Sequence, residues 1–171
     1  MKRLLAVAVF CLLLAGCYES QQLLLDQSAW RQPLATGEYF FDSDTASNRL
    51  TVRADGWYDN EQTIDGDIVR HVVLLNELDV VEGRQIYAWA ARQDNGQAFY
   101  YGLAAVSADG SRYDSMSAKC DTDAAKAVAV QWGASESGGI CTFHGSDSVL
   151  GALRAVARSP DYVSRLTAKG L

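Results

Sequence analysis

The chain has 171 residues, with 15 Lys or Arg against 21 Asp or Glu, so its formal net charge at pH 7 is −6. An acidic chain with no run of basic residues after residue 3 lacks the positive surface that contacts phosphate backbones, which argues against a nucleic-acid partner. The length suits one domain of ordinary size, and no Pro/Gly/Ser-rich linker divides the chain.

The amino terminus has the layout of an export signal. Lys2 and Arg3 precede an unbroken apolar run over residues 4–14, which ends in the sequence Leu-Ala-Gly-Cys at residues 14–17. A helix that spans a bilayer needs roughly 20 apolar residues, so this run is too short for a transmembrane anchor. Basic start, short apolar run and small residues together predict a cleaved signal peptide.

The sequence at residues 14–17 resembles the lipobox of bacterial lipoproteins, and the resemblance covers every part of that signal. It implies removal of residues 1–16, a diacylglyceryl thioether on the Cys17 sulfur and a further acyl chain, such as palmitate, on the new amino terminus. Membrane attachment then depends on these chains, since stable anchoring takes more than one. Tyr18 follows the cysteine, where an Asp would resemble an inner-membrane retention signal, so the outer membrane facing the periplasm is favoured. The alternative is an ordinary signal peptide with an accidental cysteine.

The four cysteines indicate an oxidising compartment. Cys11 would leave with the signal and Cys17 would carry lipid, which leaves Cys120 and Cys141 to form a predicted disulfide. A loop of this size is stabilised by ~3 kcal/mol in the chain-entropy estimate. The competing interpretation is a metal pair. His144 supplies a Cys-x-x-His pattern, but no fourth ligand is evident, and we predict no metal.

The middle of the chain predicts a β-meander. Asx-Gly pairs, which accept the positive φ angles of two-residue hairpin turns, occur at residues 55–56, 65–66, 95–96 and 109–110. Strands are predicted at residues 38–42, 49–54, 57–64, 67–75, 85–93, 97–106 and 111–117. Three of these, at 67–75, 85–93 and 97–106, are apolar enough to form the centre of the sheet. About seven consecutive strands predict a curved sheet or half-open barrel.

The C-terminal third predicts helices that cover the meander. Residues 121–132 are rich in alanine and contain no helix breaker. From a cap at Ser146, apolar residues recur at helical spacing and include Leu150 and Leu153, expected to face the sheet. A short strand is predicted at 138–143 and a last turn at 161–166. The predicted organisation is a signal peptide (1–16), a lipidated tether (17–36) that could hold a short helix, and one α+β globular domain (37–171).

No motif predicts catalysis or a cofactor. The sequence lacks Gly-x-Ser-x-Gly, His-Glu-x-x-His and phosphate-cradling glycine loops. His71 lies in the most apolar predicted strand and is interpreted as structural, whereas His144 is the better of two catalytic candidates. Residues 42–48 begin like a calcium loop but lack its glycine and its final glutamate, so they are interpreted as a solvated turn.

Aromatic residues are concentrated in the predicted sheet, and any that are exposed would form a binding surface. The candidates are Trp57, Tyr58 and Tyr100. The leading hypothesis is a non-catalytic envelope lipoprotein that binds or supports an envelope protein or glycan. One alternative is a small envelope hydrolase or modifying enzyme that uses His144. Another is an inhibitor of an extracellular enzyme, with a rigid loop near the disulfide.

Overall fold

The structure is a computed structural model, and it describes residues 17–40, 46–64, 66–93 and 98–168. Its architecture is α+β, as the sequence predicts, with one large, mostly antiparallel sheet and helices packed on one face. The strands within these ranges are β1 (Tyr18–Ser20), β2 (Trp30–Arg31), β3 (Gly37–Phe40), β4 (Ala46–Val52), β5 (Tyr58–Ile64), β6 (Asp67–Val81), β7 (Arg84–Gln93), β8 (Phe99–Val106), β9 (Tyr113–Ser117), β10 (Ser135–Ser137) and β11 (Ile140–Thr142). The helices are α1 (Asp123–Gln131), α2 (Ser146–Ala157) and α3 (Pro160–Ala168).

The sheet contains a meander flanked by short additional strands. Its order is β10-β11-β1-β8-β7-β6-β5-β4-β3, while β2 pairs with β6 and β9 pairs with β8. Strands β3 to β9 correspond to the seven predicted strands, and the apolar β6, β7 and β8 lie in the middle, as predicted. Over the described residues the sheet has 11 strands rather than seven, and it is not closed. Of the four strands outside the meander, β11 corresponds to the short strand predicted at 138–143, whereas β1, β2 and β10 have two or three residues each, too few for a recognisable alternation.

Strand β6 is longer than predicted because one hairpin turn lacks a typical signature. The strand was predicted to end at residue 75 but continues to Val81. The chain then reverses at Glu82-Gly83, where φ is 51° and 78°. Positive φ at both positions is typical of a two-residue hairpin turn, but Glu is an unusual residue there. Three features from the sequence analysis lie outside the described residues. They are the Asx-Gly pair at 95–96, Asp65 of the turn at 65–66, and residues 42–45 of the solvated turn.

Residues 17–36 do not form the predicted tether, because they are part of the sheet and its cores. Tyr18 of β1 is fully buried opposite Tyr101 of β8, and Leu25 and Leu34 are buried as well. A short 3-10 helix spans Gln27–Ala29. The edge of β8 explains the difference: β9 covers only its second half, so the backbone groups of its first half find partners in β1.

The helices cover one face of the sheet and form the larger core. Ile86, Ala88 and Ala90 of β7 are buried on this side, where Leu153 of α2 packs as predicted. Gly145, not Ser146, occupies the N-cap position of α2. No helix in the described ranges is long and apolar enough to span a membrane.

The predicted disulfide is present in the helix-side core. Cys120, just before α1, is bonded to Cys141 of β11, with a Cα–Cα distance of 5.8 Å. The ring centroids of Tyr18 and Phe143 lie 4.9 Å apart in the same core. The bond therefore joins the start of the helical region to the strand that pairs with β1.

A smaller core lies on the opposite face. It contains Leu34, Leu50, Tyr58, Val73, Leu75, Ala104 and Val106. Tyr39 of β3 and Tyr113 of β9, at the two ends of the meander, bring their ring centroids to 6.0 Å. The central strands are thus covered on both faces, which explains why they are apolar at nearly every position.

Candidate functional site

A row of alternating charge crosses four strands of the sheet. In the strand register, Glu38 of β3 lies opposite Arg49 of β4. Arg49 lies opposite Glu61 of β5, and Glu61 lies opposite Arg70 of β6. Directly opposed residues of antiparallel strands share a face, and side chains on one strand alternate between faces. Arg70 therefore lies on the same side as Leu74, which packs in the helix-side core. We call this line of four residues the charged row.

A cavity of about 370 Å³ opens beside the charged row. It is lined by Arg49, Thr51, Asp59, Asn60, Glu61, Arg70, His71 and Val72. All eight residues belong to β4, β5 and β6, which are neighbouring hydrogen-bonded strands. We call it the sheet cavity.

Ion pairs hold the two acids of the sheet cavity in place. Arg70 bonds Glu61 Oε2 through Nε at 2.9 Å and Nη2 at 2.7 Å. Arg53 donates from Nη1 to Asp59 Oδ1 at 2.8 Å and from Nη2 to Asp55 Oδ2 at 2.8 Å. The hydrogen bonds to Asp55 and Asp59 raise the pKa of Arg53, and the bond from Arg53 lowers the pKa of Asp55. The charges around the cavity are therefore balanced, and ion pairs position three of the four charged side chains that line it.

Several polar atoms of the sheet cavity remain available for a ligand. The contacts above use Glu61 Oε2 and Asp59 Oδ1, which leaves the second oxygen of each carboxylate as an acceptor. Arg49 forms no ion pair with any residue that the structure describes, and it offers guanidinium donors. Thr51, which is exposed, carries a hydroxyl that both donates and accepts.

Asn60 and His71 form a polar pair in the same part of the sheet. They alternate with the residues above, so their side chains lie on the opposite face, toward the smaller core. Asn60 Nδ2 and His71 Nε2 are 2.9 Å apart. Asn60 is 6 % exposed, and its Oδ1 has no hydrogen-bond partner among the described residues. His71, which the sequence predicts to be structural or to point to solvent, is half-buried and contacts Asn60.

No family model, no curated protein and no solved structure matches this chain. Similarity therefore contributes nothing to the assignment of a site. The candidate site is therefore inferred from the geometry of the described residues alone.

Cys17, the predicted lipidation site, lies at the junction of β1 with the start of the helical region. It is 5 % exposed and forms an isolated bridge with Lys119. Its carbonyl accepts from the Cys141 amide at 3.2 Å, and the next amide, of Tyr18, donates to Ala118 at 3.1 Å. Burial raises the pKa of the Cys17 thiol, against a smaller opposing effect of Lys119. A substituent on this sulfur thus requires either attachment before folding or local opening of the bridge.

The aromatic residues proposed as a surface do not lie together. Tyr58 is fully buried, so its assignment to an exposed surface is wrong. It faces the smaller core, and its hydroxyl contacts the amide and carbonyl of Leu34, both at 3.1 Å. Trp57 is half-buried toward the helix-side core, where its ring meets that of Trp30 edge-on at 5.7 Å. Tyr100 precedes Tyr101 along β8. Its side chain therefore lies on the face of the sheet opposite to that of Tyr101, away from the helices.

His144 is exposed and lines a separate pocket of about 150 Å³. The other lining residues are Ser20, Gln21, Gln22, Leu24 and Phe143. None of them is an acid, and Ser20 is already engaged with the Tyr101 hydroxyl at 2.7 Å. Among the residues that the structure describes, the pocket therefore offers no carboxylate to orient the imidazole.

Sequence reasoning missed the sheet cavity, although it predicted a strand over residues 57–64. The signal was present in the hairpin at 65–66: a two-residue turn there places Glu61 opposite Arg70, as observed. Strand β5 lies third from the β3 edge, and its alternate residues Asp59 and Glu61 point to one face.

Proposed function

We propose that this chain is a bacterial envelope lipoprotein, anchored through lipid on Cys17, whose folded body binds another envelope component without catalysis. The observation that carries the anchor is the lipobox-like sequence at residues 14–17 directly before β1. A cut before Cys17 leaves β1 and its pairing with β8 intact. The Cys120–Cys141 disulfide supports an oxidising compartment such as the periplasm, and Tyr18 after the cysteine favours the outer membrane.

The binding role is supported by the sheet cavity. Asp59, Glu61 and Arg70 are positioned by ion pairs on paired strands, which reduces the ordering entropy that these side chains lose when a ligand binds. The cavity contains two carboxylates and two guanidiniums. Arg70 pairs with Glu61, and the remaining donor and acceptor atoms are available to a ligand. We assign no catalytic residue, since none of the described residues that line the pocket at His144 is an acid.

The inhibitor hypothesis is a second candidate, and one specific observation favours it. The hairpin of β10 and β11 turns at two glycines with positive φ, Gly138 and Gly139, and the disulfide holds it at Cys141. Residues Ser135–Ser137 on its outer strand are exposed. Slowed turnover by a secreted protease or lysozyme in the presence of the purified protein would favour inhibition over the binding role.

Metabolic labelling with a clickable palmitate tests the anchor. Cys17→Ser should lose the label and accumulate as a longer precursor, because lipid attachment and the following cut both need the thiol. Cys11→Ser is the matched control, since it also removes an early thiol, and it should keep both label and cleavage. A label retained by Cys17→Ser would contradict the proposal.

A further inference from the structure

The hydrogen-bond donors and acceptors of the sheet cavity that the ion pairs leave unused indicate which kind of ligand fits there. The second oxygens of Asp59 and Glu61 can only accept hydrogen bonds, and the Arg49 guanidinium can only donate them. A ligand that satisfies all three must donate and accept at neighbouring positions. Hydroxyl groups do both, and Thr51 places a further hydroxyl on the same wall.

The charge balance disfavours an ionic ligand. An anion would gain Arg49 but would face the carboxylates of Asp59 and Glu61. A cation would gain those carboxylates but would face Arg49 and Arg70, and Arg53 already pairs with Asp59. Either ion would therefore meet like charges in the lining of the cavity, which costs binding free energy and selects against charged partners.

The apolar content of the sheet cavity is too small for a lipid or a hydrophobic peptide. Val72 is the one aliphatic residue among the described lining residues. Pockets that bind apolar ligands are lined mainly by aliphatic and aromatic side chains. The volume of about 370 Å³ lies within the range that ligand pockets commonly have.

We propose that the sheet cavity binds a neutral, polyhydroxylated ligand, a sugar unit of a glycan, through Arg49, Thr51, Asp59 and Glu61. This inference rests on the proposed binding function and names its ligand class. The carboxylates accept from sugar hydroxyls, the guanidinium donates to hydroxyl or ring oxygens, and Val72 contacts the aliphatic side of the ring. Arg70 and Arg53 act as positioning residues, because each holds one carboxylate.

The test uses the full lipidated protein in nanodiscs, which avoids detergents with sugar headgroups. The protein is applied to an array of neutral and acidic oligosaccharides, and the best neutral ligand is titrated by calorimetry beside inorganic phosphate and spermidine. We expect saturable binding of neutral oligosaccharides alone. Arg49→Ala and Asp59→Asn should each weaken it roughly tenfold or more, the effect of losing a hydrogen bond to a charged group.

Matched controls separate the site from the rest of the surface. Arg112→Ala removes an exposed arginine from the turn between β8 and β9 and should leave affinity unchanged. The variant sites Arg49 and Asp59 are exposed, so unchanged circular dichroism is expected. Binding of phosphate or spermidine in place of saccharides, binding to no neutral glycan, or binding indifferent to Arg49→Ala and Asp59→Asn would each overturn the inference. Palmitate labelling of Cys17 is unaffected by those outcomes, so it tests the anchor independently.

Discussion

Two buried tyrosines show how one hydroxyl stabilises the fold while another does not. Tyr58 satisfies both backbone groups of Leu34, whereas the Tyr18 hydroxyl is buried with no hydrogen-bond partner among the described residues. A buried polar group without a partner loses the hydrogen bonds that it had with water, and a satisfied one does not. The same atom therefore has opposite effects at the two positions.

Changing each tyrosine to phenylalanine should separate these effects. Tyr58→Phe leaves the amide and carbonyl of Leu34 unpaired and should lower the free energy of unfolding by about 1–3 kcal/mol. Tyr18→Phe removes an unpaired hydroxyl and keeps the ring contact with Phe143, so it should be neutral or stabilising by up to ~1 kcal/mol. Urea unfolding of both variants measures the difference. A larger loss for Tyr18→Phe than for Tyr58→Phe would contradict this account.

Gly102 is required because Trp89 lies against it across the strands. The two residues are directly opposed, and a Cβ at Gly102 would lie 2.2 Å from the Met116 carbonyl oxygen and 2.5 Å from the indole ring. The absence of a side chain at Gly102 therefore leaves room for the indole ring of Trp89.

Gly102→Ala should destabilise the protein by about 1–3 kcal/mol or more, because the clash with backbone cannot be relieved by a rotamer change. Gly37→Ala is the control: its Cβ would meet only the Tyr39 ring, at an ordinary 3.6 Å. We expect that variant to be neutral or stabilising by up to ~1 kcal/mol. Equal midpoints of thermal unfolding for the two variants would show that the contact with Trp89 is loose.

At the scale of elements, one buried ion pair attaches α3 to β9. Arg165 donates from Nε and Nη2 to the two carboxylate oxygens of Asp114, both at 2.8 Å, and the Asp114 side chain is 5 % exposed. Arg158, just after α2, pairs with Asp79 at a comparable distance, but its own side chain is 66 % exposed. The two pairs share chemistry and differ in burial.

Arg165→Met should lower the free energy of unfolding by about 2–4 kcal/mol, because it removes the guanidinium that pairs with the buried carboxylate of Asp114. Arg158→Met removes the more exposed pair and should cost at most ~1 kcal/mol. Hydrogen exchange should report faster opening of α3 in the first variant alone. Equal destabilisation in both variants would mean that burial of Asp114 contributes little.

The sequence predicted which strands form more fully than it predicted which residues of neighbouring strands lie opposite one another. The turn at 65–66 gives the observed pairing of β5 with β6, but the loop between β4 and β5 runs over residues 53–57 instead of the two residues predicted. A two-residue turn would place Arg49 opposite Gln62, whereas it lies opposite Glu61. A slip of one residue moves a whole strand to the other face. The sheet cavity was therefore beyond prediction although every strand that lines it was predicted.

At the scale of the whole molecule, buried tyrosines make stability depend on alkaline pH. Burial raises the pKa of Tyr18 and of Tyr58 to about 12, and burial also raises the pKa of Tyr101. In the unfolded chain tyrosine ionises near ~10. The folded state thus holds these protons more tightly than the unfolded state, and the resulting stability is complete below pH ~10.

We expect the free energy of unfolding to fall as pH rises from about 10 toward 12, where the folded groups ionise as well. Urea unfolding at pH 8, 10 and 11 measures the loss. Tyr18→Phe should make the decline less steep, because it removes one group that ionises only in the unfolded state over this interval. A stability that stays constant up to pH 11 would contradict burial of these hydroxyls.

One edge of β8 is completed by two different strands, and this affects the newly made chain before it has folded. Phe99–Tyr101 pair with β1 and Gly102–Val106 pair with β9, so two segments far apart in sequence complete one edge. Until β1 docks, half of this central strand presents unpaired amides and carbonyls, the arrangement that templates association between chains. The segment directly after Cys17 therefore covers backbone groups that would otherwise be open to pairing with another chain.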